Sequence, residues 1–135
     1  IGDYSKAIEI NPKHKYGYYF RGIAKSKVED YEGAILDYEK VVEIDPKHIA
    51  IFRRSAGIKY TTGNYEGAIN DYTKAIELDS KNISAFIGRG RTKQILEDYE
   101  GAIQDYLNVI KLSNEVEVEV EYSSFIEDCK KMLNQ

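Results

Sequence analysis

The sequence predicts an all-α chain, a solenoid of antiparallel helix pairs, on three observations. A five-residue string recurs verbatim at one fixed spacing, apolar residues within each copy fall at helical intervals, and no segment reads as a β-hairpin. Tyr31–Ile35, Tyr65–Ile69 and Tyr99–Ile103 all read Tyr-Glu-Gly-Ala-Ile, 34 residues apart. Asp-Tyr follows each copy, at Asp37-Tyr38, Asp71-Tyr72 and Asp105-Tyr106. One further step back falls on Asp3-Tyr4, where DYSKAIEINPKH matches DYEKVVEIDPKH and DYTKAIELDSKN. The 135 residues therefore divide as a single domain: the second half of a truncated unit over 1–14, full units over 15–48, 49–82 and 83–116, and a capping helix over 117–135.

The elements follow in order. Residues 3–11 form a second-half helix without its first-half partner, and 1–11 are expected to be a truncation scar with an exposed apolar face. Each full unit opens with a helix in which Tyr18, Gly22 and Ala24 recur as Phe52, Ala56 and Ile58, then as Phe86, Gly90 and Thr92. The small residues at 22, 56 and 90 let helix backbones approach closely. Asp30, Asn64 and Asp98 then stand as N-caps ahead of a second helix, whose stripe in the first unit is Tyr31, Ala34, Ile35, Tyr38, Val41 and Val42. Asp45-Pro46 stops that helix, since proline cannot continue it. In the tail, Val118, Val120, Tyr122, Phe125, Ile126, Cys129, Met132 and Leu133 are expected to form the covering face. The VEVEVEY stretch over 116–122 alternates like a strand but is read as the turn and first coil of that helix, with an extended segment as the alternative.

Composition narrows the function classes. Nineteen Lys and Arg against 23 Asp and Glu give a net charge of −4, which argues against a dedicated nucleic-acid or anionic-membrane binder. The longest uncharged stretch, Asn82 to Gly88, is seven residues, far short of a membrane span. One cysteine, Cys129, forms no internal disulfide or CxxC site, and is read as a buried structural thiol. His14 and His48 lack further ligands, so no metal is expected, and they are read as solvated turn residues. Gly88-Arg89-Gly90-Arg91-Thr92-Lys93 lacks phosphate-loop spacing and lies inside a helix. No cluster suits catalysis, and no cofactor is implied. The single cysteine suits a cytoplasmic or a periplasmic setting.

The 34-residue period, together with Ala34-x3-Tyr38, Ala68-x3-Tyr72, Ala102-x3-Tyr106, the aromatics Tyr18, Phe52 and Phe86, and Pro46, resembles the tetratricopeptide repeat. Arg21, Ser55 and Arg89 depart from that pattern where Leu is usual, and Lys25, Lys59 and Lys93 where Tyr is usual. The resemblance implies a right-handed superhelix whose first helices line a concave inner wall. Those helices (15–28, 49–62 and 83–96) hold ten Lys and Arg and no acid, so the rest of the chain carries −14. By family analogy Lys27, Arg53, Arg54 and Arg91 face the groove, with Tyr19, Phe20, Ile23, Tyr60, Ile87 and Gln94 between them. Arg21, Arg89 and the lysines at 25, 59 and 93 are expected to point sideways toward Asp37, Asp71 or Asp105.

The expected function is a non-catalytic protein-interaction scaffold that takes an acidic peptide, or one with a free C-terminal carboxylate, in a basic and apolar groove. Some relatives grip chaperone tails with a Lys/Asn/Asn/Lys/Arg set. The corresponding positions here, Tyr19, Ile23, Arg54, Ser84 and Gly88, lack it, so chaperone-tail binding is not expected. The alternatives are a structural segment of a longer array, self-associating through the truncated N-terminal face, and, against the acidic total, single-stranded RNA binding.

Overall fold

The computed structural model describes residues 1–135 and consists of eight helices: α1 (Gly2–Ile10), α2 (Lys15–Lys27), α3 (Tyr31–Ile44), α4 (Ile49–Thr61), α5 (Tyr65–Leu78), α6 (Ile83–Ile95), α7 (Tyr99–Leu112) and α8 (Val116–Leu133). The closest pairings are α2 with α3, α4 with α5, and α6 with α7; α8 covers α7, and α1 lies on α2. Between units, α5 packs on α6 far more closely than α3 packs on α4.

Each hairpin turn is specified locally. Asp30, Asn64 and Asp98 accept hydrogen bonds from the backbone N–H of Gly33, Gly67 and Gly101, all at 3.0 Å, satisfying donors the helix leaves open. The preceding helices end in a Schellman arrangement: Glu29 N–H donates to Ser26 C=O and Asp30 N–H to Lys25 C=O, and the same pattern recurs at Gly63-Asn64 and Glu97-Asp98. The residue that turns the chain sits in the left-handed region, with φ of 84° at Gly63 and 63° at both Glu29 and Glu97. Two of the three units thus hold a glutamate where glycine is unstrained. The adjacent acids at 29–30 and 97–98 are a helix stop followed by a helix start.

The core is a repeated interlock of alanine and tyrosine. Ala34, Ala68 and Ala102 are wholly buried, and Tyr38 and Tyr106 nearly so. The rings of Tyr38 and Tyr106 lie so close to Gly22 and Gly90 of their own units that a Cβ there would stand 2.5 Å from Tyr38 Cε1 or 2.8 Å from Tyr106 Cε1. In the middle unit Ala56 takes that place, and the tip of Tyr72 rests on Gly88 of the following unit; Tyr72 is only half-buried.

Two expectations need correction, the covering face of the tail and the role of the histidines, while the helical start of the tail and the exposed face of the first helix are as expected. Helix α8 begins at Val116, so the alternating stretch is helical, and only Tyr122, Ile126 and Cys129 are buried on it. Val118 and Phe125 pack partly against them, whereas Val120, Met132 and Leu133 are exposed: Val120 lies on the opposite face of the helix, and Met132 and Leu133 are its last two residues. The histidines are N-caps: His14 Nδ1 accepts from Gly17 N–H at 2.7 Å, while half-buried His48 packs its ring 5.0 Å from that of Tyr19. Helix α1 has no buried residue, and Ile1, Tyr4 and Ile10 are exposed.

Candidate functional site

The ten cations of α2, α4 and α6 separate into two sets. Arg21 grips Asp37 with Nε and Nη2 at 2.8 and 2.6 Å, and Lys25 joins the same carboxylate at 3.2 Å. Arg89 and Lys93 repeat this on Asp105, at 2.7 and 3.3 Å. Lys59 pairs with Asp71 at 2.8 Å, and Lys15 with Asp45 at 2.9 Å. The arginines stand sixteen residues before their acids and the lysines at 25, 59 and 93 twelve before theirs, so each faces its acid across the hairpin, while Lys15 meets Asp45 at the hairpin's open end.

The other four, Lys27, Arg53, Arg54 and Arg91, are exposed and form no ion pair. Arg54 stacks over Tyr19, 5.6 Å from the ring centroid, and its Nε donates to the Tyr19 hydroxyl at 2.9 Å. The second-helix tyrosines reach this wall from behind. Burial raises the pKa of the Tyr72 hydroxyl, and the positive fields of Arg91 and Arg53 oppose that rise. Burial likewise raises Tyr38, against the opposing charge of Arg54, and Tyr106, to about 12, against that of Arg91.

The remaining expected residues lie as follows. Ile23 and Ile87 are half-buried against the two apolar clusters. Gln94 accepts a hydrogen bond from the Tyr106 hydroxyl at 2.7 Å, and Tyr60 meets Tyr65 edge-on at 5.8 Å. Phe20 belongs to a separate aromatic group, stacked between Tyr4 and Tyr16 at 5.8 and 6.4 Å and edge-on to Tyr19 at 5.1 Å. Sequence reasoning passed over Tyr4 and Tyr16 as the partners of Phe20, and Tyr38 and Tyr72 as phenols within the field of the unpaired arginines. The signal was present, because Tyr4, Tyr38, Tyr72 and Tyr106 share one register of the repeat. No group of His, Cys, Asp or Glu has the arrangement of a metal site, and no helix is long and apolar enough to cross a membrane. Cys129 is wholly buried, and burial raises its thiol pKa.

Family models described as tetratricopeptide repeat and TPR repeat match residues 16–48 and 58–94, together just over half of the chain. No curated protein sequence matches it. Among solved structures, the first TPR of Spaghetti (RPAP3) bound to the HSP90 peptide SRMEEVD superposes with a TM-score of 0.77 at 23% identity, over 90% of this chain and 94% of that one. The Arabidopsis OM64 TPR domain gives 0.75 at 19% identity, covering 84% and 94% of the two chains. The N-terminal domain of stress-induced protein-1 from C. elegans gives 0.75 at 21%, covering 82% and 92%. This chain belongs to the tetratricopeptide-repeat family, and its fold is that family's right-handed superhelical solenoid.

Proposed function

We propose that the chain, working as one unit over 1–135, is a non-catalytic scaffold that binds an extended acidic peptide along the wall formed by α2, α4 and α6. The single observation that carries this reading is the division of the cations. Six are paired with carboxylates within the fold, while Lys27, Arg53, Arg54 and Arg91 have no such partner and stand on the one wall whose helices contain no acid. Planar guanidinium groups, that of Arg54 stacked beside Tyr19, suit carboxylates through forked hydrogen bonds. Stacked hairpins hold those groups in place before a ligand arrives, which lowers the ordering cost of binding. The Spaghetti domain with this fold carries an acidic peptide, which supports the ligand class.

Replacing Arg53, Arg54 and Arg91 together by Glu should weaken an acidic peptide by about a hundredfold or more, since each contact changes from attraction to repulsion. The far-UV circular dichroism should stay unchanged. Equal affinity in wild type and triple variant overturns the site. Amidating the peptide's C-terminus separates recognition of side-chain carboxylates from recognition of the terminal one.

A second reading, self-association through α1, is favoured by its exposed Ile1, Tyr4 and Ile10. Sedimentation over a range of concentrations decides it, because apparent mass rises only if copies associate.

A further inference from the structure

We infer that the cleft between α3 and α4 is a socket for the guanidinium group of an arginine side chain supplied by a partner protein. The two flanking units contain the template. In the first, Arg21 donates to Asp37, lies 5.7 Å over the ring of Tyr18, and reaches back from Nη1 to Ser5 Oγ of the preceding helix at 3.2 Å. In the third, Arg89 donates to Asp105, lies 5.6 Å over Phe86, and reaches back to Thr73 Oγ1 at 3.2 Å. Thirty-four residues from each, the middle unit has Ser55.

Everything else in the arrangement remains. Asp71 corresponds to Asp37 and Asp105, Phe52 to the aromatic plate, and Glu39 to the Ser5 and Thr73 acceptors. These three line a cavity of about 220 Å3 together with Ser55 and Lys59, at the place an arginine at 55 would fill. Phe52 has no cation over its ring, and Glu39 forms no ion pair and is exposed, so the cavity is reached from solvent on its side. Ser55 Oγ donates to Asp71 at 2.6 Å, a neutral hydrogen bond in place of the charged fork.

The charge balance selects the occupant. Each flanking site holds one Arg, one Lys and one Asp, a sum of +1, and closes on a neutral hydroxyl. The middle site holds Lys59 against Asp71 and Glu39, a sum of −1, and one guanidinium brings it to neutrality. A planar fork over an aromatic ring with carboxylates on two edges favours arginine over lysine. This surface is distinct from the basic wall, and it calls for a partner with a protruding arginine.

The test follows backbone amide shifts of 15N-labelled full chain during titration with N-acetyl-arginine amide and, separately, N-acetyl-lysine amide. The expected result is saturable shifts at residues 39, 52, 55 and 71 with the arginine compound, at least fivefold tighter than with the lysine compound. Glu39→Gln should weaken the arginine compound by about tenfold, the order of one charge-assisted hydrogen bond. Ser55→Arg should fill the cavity from within, raise the melting temperature and abolish the titration. Equal response to both compounds, unchanged binding in Glu39→Gln, or shifts scattered over the exposed acids each overturns the proposal. The Glu39→Gln comparison carries the test even if Ser55→Arg fails to fold.

Discussion

Tyr72 rests the tip of its ring on Gly88, one unit further along the chain, because Ala56 holds the place that glycine leaves open for Tyr38 and Tyr106 in their own units. One methyl group thus moves an aromatic contact from within a unit to between units. It also accounts for the difference in closeness between α5–α6 and α3–α4 on the α6 side.

Gly88→Ala should destabilise the fold, since the new methyl falls on Cζ and the hydroxyl of Tyr72. Overpacking of this kind costs about 1–3 kcal/mol, set against the roughly 1 kcal/mol by which Ala exceeds Gly in a helix interior. The expected net loss is about 1 kcal/mol. Gly57→Ala, with nothing within 4 Å of its added carbon, should instead gain about 0.5–1 kcal/mol. Urea midpoints of the two variants should move in opposite directions.

Glu29→Gly and Glu97→Gly should each stabilise the chain. Both residues hold φ at 63°, where an L-residue loses about 1–2 kcal/mol relative to its usual conformations and glycine does not. The expected gain is about 0.5–1 kcal/mol per site, reduced by glycine's greater freedom when unfolded. The reverse change, Gly63→Glu, should lower the melting temperature by a comparable amount.

The three interhelical carboxylates should rank by what they hold. Asp105→Asn leaves Arg89 and Lys93 facing each other with the anion gone, and should cost about 3 kcal/mol. Asp71→Asn leaves Lys59 alone at a wetter site and should cost less. Equal losses in chemical denaturation would show that neither the burial of the acid nor the count of its partners sets the effect.

Alkaline pH should loosen the fold through its tyrosines. Burial raises the pKa of Tyr38, Tyr72, Tyr106 and Tyr122, with Tyr106 at about 12. In the unfolded chain a tyrosine ionises near pH 10. A raised folded value means the native state keeps its proton longer, so this contribution is complete below about pH 10 and declines as pH rises toward 12. Tyr106→Phe should cost about 1 kcal/mol at neutral pH through the lost bond to Gln94, and its melting temperature should fall less steeply than that of wild type above pH 10.

The fold was legible because a 34-residue repeat multiplies each local signal: the caps at Asp30, Asn64 and Asp98 and the alanine–tyrosine spacing speak three times. The separation of paired from unpaired cations was legible for the same reason, since Arg21 and Asp37 keep the same offset as Arg89 and Asp105. What escaped depended on neighbours that the repeat does not share. Nothing near Val120 in sequence says which stripe of α8 meets α7. The shift of Tyr72 needs both Ala56 and Gly88, which are 32 residues apart and in different units. The space beside Ser55 is a missing side chain, visible only when its two counterparts are seen in place.

Arg21 ties α2 to α1 through Ser5, and Arg89 ties α6 to α5 through Thr73, but no side-chain hydrogen bond or ion pair joins α3 to α4. Apart from the uncharged-acceptor bond from Arg54 on α4 to the Tyr19 hydroxyl on α2, oily surface, chiefly Tyr38 and Val41 with Ile51 and Phe52, closes that joint. Such surface loses its grip as water is chilled, while charged links hold. Near freezing, the molecule should begin to part in its middle and not fray from its ends.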